Sequence, residues 1–232
     1  MPLGVICNTL SIAVGGLLGG IFGRRLSPDF KQKLNLVFSI CALGIGITST
    51  VLLVHLPAVI LSLILGTILG SVLRLGFRIE KAGIRLASLF PSRGGGEEDS
   101  SLLVTAIVLF CASSTGIFGS IVSGITGDHT ILLAKSILDF FTAMIFACSL
   151  GLVVSAIAIP QLIIFLILFF ASRLIYPLTT PDMMNDFKAV GGLILLATGL
   201  RIARIRDYPV ADMIPAMILI FPISWLWSTY IA

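Results

Sequence analysis

Residues 34–73 read LNLVFSICALGIGITSTVLLVHLPAVILSLILGTILGSVL, without one Asp, Glu, Lys or Arg. A helix crosses the hydrocarbon core in about 20 residues, so this stretch is long enough for two crossings. His55-Leu56-Pro57 is the natural turn between them, since proline cannot continue the helix before it and can open the one after. The stretch therefore reads as a hairpin of membrane helices. Composition extends that reading to the whole chain of 232 residues, 57% hydrophobic and 11% charged. A soluble domain carries about 25% charged residues, and so little charge cannot cover a water-facing surface. An ordinary cytosolic enzyme, a disordered chain and a nucleic-acid-binding module are excluded. The net charge of +4 is instead the mark of basic loops on the cytoplasmic side.

Working outward from the hairpin, charge-free runs and their punctuation predict an all-α, polytopic helical membrane protein of about eight transmembrane helices (seven to eight). Helix 1 covers about 3–23, helices 2 and 3 about 29–54 and 57–78, and helix 4 about 102–125. Gly127-Asp128-His129-Thr130 is a turn in which Asp128 can cap helix 5, about 129–158. Pro160 opens helix 6, which ends near Tyr176-Pro177, and helices 7 and 8 take about 182–200 and 209–230. Asp182, Asp186 and Lys188 crowd the start of helix 7. The first span has no basic residue ahead of it, so it reads as an anchor rather than a cleavable signal.

With the N-terminus outside, the loops after helices 1, 3, 5 and 7 face the cytoplasm. Arg24, Arg25, Lys31 and Lys33 follow helix 1; Arg74, Arg78, Lys81, Arg85 and Arg93 follow helix 3; Arg201, Arg204 and Arg206 follow helix 7. Those twelve are most of the 15 basic residues, which is the positive-inside bias. The expected location is a bacterial inner membrane, with both termini outside. Arg74, Arg78, Lys81 and Arg85 share one face of a helix 3 expected to run on past the membrane, where they anchor to lipid phosphates. Trp225, Trp227 and Tyr230 read as an outer aromatic belt.

One transmembrane domain, 1–232, divides into segments 1–90, a cytoplasmic linker 91–100 rich in glycine and acid, central helices 4 and 5 over 101–159, and 160–232. A shift of 153 lays Pro28-Asp29 on Pro181-Asp182, Val37 on Val190, Leu43 on Leu196, Gly46 on Gly199 and Ala58 on Ala211. Partners under this shift are five helices apart and so run in opposite directions. The predicted architecture is an inverted 3+3 repeat, helices 1–3 against 6–8, with two helices between, as in many secondary transporters.

Charge inside hydrocarbon is costly, so the few intramembrane polar groups are the candidate site. Lys135 and Asp139 stand at i and i+4 on helix 5, where their side chains can meet. They lie about 9 and 15 Å from the outer end at 1.5 Å per residue. The pair is either an ion- or proton-responsive site or a structural lock on helix 5. Ser113, Ser114 and Thr115 open a Gly/Ser/Thr-rich stretch that serves close packing or a local break in helix 4. Asn8, Asp128, His129 and Asp212 are further candidates for lining a pathway, Asp212 having Arg204 and Arg206 as the more natural partners. Gly15, Gly19 and Gly23, with Gly16 and Gly20, form tandem GxxxG patterns for tight helix contact within the protomer or between copies, which makes a homo-oligomer the expectation. Cys7, Cys41, Cys111 and Cys148 read as buried small hydrophobes. No spacing of Cys or His suits a metal, no phosphate loop is present, and Ser123, Asp128 and His129 are too close in sequence to make a hydrolase triad. No cofactor and no enzyme activity are expected.

Gly119-Ser120-Ile121, Gly124-Ile125-Thr126-Gly127-Asp128-His129, Ala134-Lys135-Ser136 and Leu138-Asp139 resemble the bacterial membrane family known as domain of unknown function 554. Gly15-Gly16-Leu17, Gly23-Arg24-Arg25-Leu26 and Ala189-Val190-Gly191-Gly192 carry the resemblance toward both ends. Ser123 stands where that pattern suggests an acidic residue and Phe140 where it suggests glycine. The resemblance implies a multi-pass inner-membrane protein, sometimes described as a transporter, and supplies no catalytic residues. Together with the residues it favours a transporter or channel for a small ion or polar solute, with Lys135 and Asp139 lining the pathway. The alternative is a non-transporting oligomeric scaffold or regulatory subunit. Its partners are the lipid bilayer and other copies of the chain, and not nucleic acid.

Overall fold

The computed structural model describes residues 1–22, 27–88 and 97–231, and every regular element among them is helical. Gly23, Arg24, Arg25, Arg93 and most of the expected linker lie outside the described residues. The order is α1 Leu3–Phe22, α2 Pro28–Thr50, α3 Leu56–Val72, α4 Leu75–Ser88, α5 Glu97–Cys111, α6 Ser114–Thr126, α7 Thr130–Leu150, α8 Val153–Ala156, α9 Ala158–Ile175, α10 Pro181–Ile202 and α11 Ala216–Tyr230. Four helical segments are long and apolar enough to cross a membrane: Leu3–Phe22, Leu102–Thr126, Thr130–Leu150 and Val153–Leu174. A fifth is the pair Leu56–Val72 and Leu75–Ala82, bent by 61°. Ser39–Thr50 and Ala216–Tyr230 are apolar but shorter.

Local chemistry accounts for the boundaries. Ser27 accepts the Phe30 amide at 3.3 Å and Thr180 the Met183 amide at 3.2 Å, each followed by a proline in the first turn. α2 and α10 therefore begin in the same way. Helix 3 does not run on smoothly as the sequence suggested. It breaks at Leu73 and Arg74, where Arg74 takes φ 50, a left-handed conformation costing roughly 1–2 kcal/mol. Asp212 stabilises the break by accepting the Gly76 amide at 2.8 Å and the Ser71 hydroxyl at 3.3 Å, so a carboxylate sits at the start of α4. Helix 5 stops earlier than expected, at Gly151 rather than near Pro160, because Gly151 adopts φ 78 and ψ −155, open in practice only to glycine. α9 is already under way at Pro160, and α11 starts late because residues 209–215, bracketed by Pro209 and Pro215, form turns. Helix 4 is broken: Ser113 is extended and caps α6 through the Gly116 amide at 3.0 Å.

Glycines set the helix packing. Gly15 and Gly19 leave room for the Phe140 and Met144 carbonyls of α7, and the matching order makes α1 and α7 parallel. The other ridge of α1 meets the following turn: a Cβ at Gly16 would lie 2.6 Å from the Ser155 amide nitrogen and one at Gly20 2.6 Å from Leu152. Gly15, Gly16, Gly19 and Gly20 thus make contacts inside the protomer. α6 and α9 also run parallel, with Gly116 against Phe165 and Gly124 against Phe169 and Ser172. α3 and α11 run antiparallel, with Gly66 at Ala216 and Gly70 at Asp212. α2 and α10 are antiparallel and their contact is reciprocal. A Cβ at Gly46 would lie 2.8 Å from Leu196 Cγ and 2.9 Å from the Gly192 carbonyl oxygen; one at Gly199 would lie 2.9 Å from Leu43 Cγ and 3.1 Å from the Ser39 carbonyl oxygen. Adding 153 to Ser39, Leu43 and Gly46 gives Gly192, Leu196 and Gly199, so each contact maps onto the other.

The Gly19→Ile variant drives a branched side chain into the backbone of α7 and is expected to cost about 1–3 kcal/mol or more of stability. Gly44, with nothing within 4 Å of its Cβ position, is the control: Gly44→Ala should leave thermal unfolding of the purified protein unchanged or slightly raised. Equal melting temperatures for parent and Gly19→Ile would contradict the α1–α7 packing.

Candidate functional site

α7 brings Lys135 and Asp139 one turn apart on its inward face, where they are 6% and 5% exposed. The Lys135 ammonium donates to Asp139 Oδ1 at 2.8 Å and Oδ2 at 2.7 Å. Because α1 packs on α7 through glycine, Asn8 is close enough to donate its Nδ2 to Asp139 Oδ2 at 2.7 Å. Gln161 on α9 donates Nε2 to Asn8 Oδ1 at 2.6 Å, and Thr9 donates its hydroxyl to Gln161 Oε1 at 2.7 Å. The result is a continuous buried chain from α7 through α1 to α9. Each amide both donates and accepts, which spares buried polar groups the cost of going unpaired.

The pair lines a cavity of about 310 Å³. α2 supplies Val37, Cys41, Ala42 and Ile45, and α10 supplies Gly191, Ile194, Leu195 and Thr198. Ser113 and Thr115, at the break between α5 and α6, complete one side. Under the shift of 153, Cys41 corresponds to Ile194, Ala42 to Leu195 and Ile45 to Thr198. The walls are chiefly aliphatic. The hydroxyls of Thr142 and Thr198 donate back to their own helices, to Leu138 at 2.7 Å and Ile194 at 2.8 Å.

Of the residues singled out from sequence, Lys135, Asp139, Asn8, Ser113 and Thr115 come together here, and Ser114 opens α6 beside them. Asp128 and His129 do not join them. Asp128 accepts the Thr130 amide at 2.9 Å and hydroxyl at 2.7 Å, as the start of α7 requires, and His129 Nδ1 meets the Ser123 hydroxyl at 2.7 Å. The Thr130 hydroxyl, and then its amide, hold the Asp128 carboxyl below the usual carboxylate range. Asp212 is at the α3–α4 break, bound to Gly76 and Ser71 rather than to the expected arginines. Arg201 pairs with Asp207 at 2.8 Å, and Arg204 takes φ 59 after α10. Arg74, Arg78, Lys81 and Arg85 are exposed around the break and along α4. Cys111 and Cys148 are buried as expected, whereas Cys7 and Cys41 are exposed, which suits a small apolar side chain on a surface solvated by lipid.

Gln161 and Thr9 were not anticipated. Gln161 is the one amide side chain in the run from Leu150 to Phe170, so its isolation in apolar sequence was the available signal. A second buried cluster was also missed. Asp186, wholly buried, accepts the Val54 and His55 amides, each at 2.9 Å, and the Ser224 hydroxyl at 2.7 Å, with His55 Nδ1 at 2.8 Å. Four partners fill the capacity of a carboxylate, and they tie the α2–α3 turn to α10 and α11. Among the described residues no group of three His, Cys, Asp or Glu is placed to hold a metal ion.

This is a helical membrane protein with a buried acid–base pair at a partly open pocket, whose rim includes the exposed Val37, Cys41, Leu138 and Phe141. The chain belongs to the family described as protein of unknown function DUF554, whose profile matches residues 3–225. It is similar to the uncharacterized protein YqgA of Escherichia coli K12, 48% identical over 235 residues and the full length of both chains. It is also similar to the uncharacterized membrane protein YdfK of Bacillus subtilis 168, 30% identical over 222 residues and 93% of each chain. No solved structure matches it.

Lys135→Met strands a buried carboxylate and is expected to cost about 3–5 kcal/mol, while Lys135→Met combined with Asp139→Leu should recover most of that loss. Thermal unfolding in detergent measures both; a double variant no more stable than the single one would contradict a buried, mutually neutralising pair. At the exposed cap, a depressed Asp128 pKa means stability that is present above the unfolded value near 3.9 and is lost as pH falls through the folded value. The difference in melting temperature between parent and Asp128→Ala should therefore be largest near neutrality and close below about pH 4.

Proposed function

We propose that this protein is a transporter or channel for a small ion or polar solute, with Lys135 and Asp139 lining the pathway. The observation that carries the reading is the cavity itself. It holds the pair, and it is walled by α2 and α10 at positions that correspond under one shift of sequence. Binding between two inverted repeats is the arrangement that alternating access uses.

Three further facts support an inverted repeat and eight crossings. The shift carries α1 onto 156–175 and α2 onto 181–203, beside α9 at 158–175 and α10 at 181–202. Asn8 and Gln161, which hydrogen-bond to each other, are themselves separated by 153. The directions of the packed pairs suit alternate crossings: expected helices 1 and 5 are parallel, as are 4 and 6, while 2 opposes 7 and 3 opposes 8. With basic residues inward, this reading has both termini outside a bacterial inner membrane. α4, bent 61° from α3 and bearing Arg78, Lys81 and Arg85, then lies along the cytoplasmic headgroups. The scaffold alternative rested on the glycines of α1, which are used inside the protomer, so transport is carried forward.

Purified protein in liposomes is expected to give substrate- or voltage-dependent flux that Asp139→Asn and Lys135→Met each alter. Flux indistinguishable from the parent in both variants, across candidate solutes and pH values, would overturn the assigned roles.

A further inference from the structure

We infer that the cavity takes a small zwitterion with an apolar body, the chemistry of an aliphatic α-amino acid. Its carboxylate would sit on the Lys135 ammonium and its ammonium on Asp139. This rests on the proposed role of the same site and names its solute class.

The hydrogen-bond inventory of the pair leads to it. An ammonium has three donors, and Lys135 uses two on Asp139. Asp139 Oδ2 is shared with Asn8, but Oδ1 accepts from Lys135 alone among the described residues. One donor and one acceptor are thus left side by side on residues that line the cavity. They match a molecule that carries one carboxylate and one ammonium on neighbouring atoms. Charge balance points the same way. Lys135 and Asp139 neutralise each other, so a solute of net charge would bury that charge uncompensated, whereas a zwitterion keeps the site neutral.

The walls decide the rest of the solute. Val37, Ile45, Val108, Ile194 and Leu195 offer an aliphatic surface to an apolar body, and about 310 Å³ is at the lower end of small-molecule sites. A bare cation needs a cage of several oxygens, but the Thr142 and Thr198 hydroxyls are turned to their own helices. An inorganic anion would face the Asp139 carboxylate. α6 begins at the cavity wall, and a Cβ at Gly116 would lie 2.8 Å from Lys135 Cε, so its first turn directs the carboxylate end toward Lys135.

The test uses the full chain in detergent with L-leucine as probe, read by thermal shift and calorimetry. Glycine lacks the apolar body, 4-methylpentanoate lacks the ammonium and isopentylamine lacks the carboxylate. L-Leucine is expected to raise the melting temperature in a saturable way, each analogue binding at least about tenfold more weakly. The folded double variant Lys135→Met/Asp139→Leu is expected to lose the shift. Either single-charge analogue binding as tightly as leucine overturns the inference. So does stabilisation by sodium or potassium chloride without leucine binding, or no leucine response from protein that unfolds cooperatively. Leucine binding without leucine flux in liposomes keeps the site and overturns transport. Ion flux that depends on the pair, without leucine binding, keeps transport and overturns this solute.

Discussion

A charge in hydrocarbon must bring its own solvent, and the interior of this protein is arranged around that requirement. Lys135 and Asp139 supply one another's counter-ion, Asn8 supplies a further donor, and Gln161 and Thr9 satisfy Asn8 in turn. The Asn8 and Gln161 bonds form only where α1, α7 and α9 approach closely, and Gly15 and Gly19 are what permit α1 and α7 to do so. In lipid there is little hydrophobic force between helices, so close backbone packing and interhelical hydrogen bonds must hold them together. The glycine ridge and the polar chain depend on each other. The glycines create the proximity, and the polar groups make it costly to lose.

The same logic explains Asp186. Its oxygens collect donors from the α2–α3 turn and from α11, so the turn that carries Pro57 is pinned to the start of α10 by a carboxylate 131 residues away. Asp212 does the equivalent service at the break between α3 and α4. Asp139, Asp186 and Asp212 therefore each sit where backbone or cation needs an acceptor. Two hold turns, and one, Asp139, borders empty volume. That contrast is why the functional reading falls on Asp139 rather than on the more thoroughly satisfied Asp186.

What the sequence made legible was whatever is written locally. α2 and α10 start within a residue of the expected 29 and 182, Asp128 accepts the Thr130 amide at the expected turn one place before the N-cap His129, and the Lys135–Asp139 contact follows from its spacing of four. What stayed hidden was decided at a distance. Nothing near Arg74 announces a break, since the stabilising carboxylate comes from Asp212; the expectation of a continuous helix 3 failed for that reason. Gly151 was outranked by Pro160 as a turn, although a proline in the first turn of a helix is harmless and a glycine at positive φ ends one. The ambiguity of the α1 glycines, within or between protomers, was a matter of which partner surface exists, and only the fold could supply Phe140 and Met144.

Under the proposed repeat, the two central segments lie outside the matched halves and are unlike each other. α7 runs unbroken and carries the acid and the base, whereas the segment before it is interrupted at Ser113 and carries hydroxyls and glycine in their stead. The packed pair α2 and α10 thus walls part of an open pocket whose remaining sides are unlike: a charged wall on a continuous helix and a helix start on a broken one. A symmetric container would hold a symmetric guest equally well in two directions. Under the proposed function, charge confined to one wall would give a bound solute a preferred orientation, and the rest of the lining would have only to supply apolar contact. Because α1 and α9 fall in opposite halves of the proposed repeat, a rocking of the halves would strain the Asn8–Gln161 bond, whereas Lys135 and Asp139, both on α7, would move as a unit.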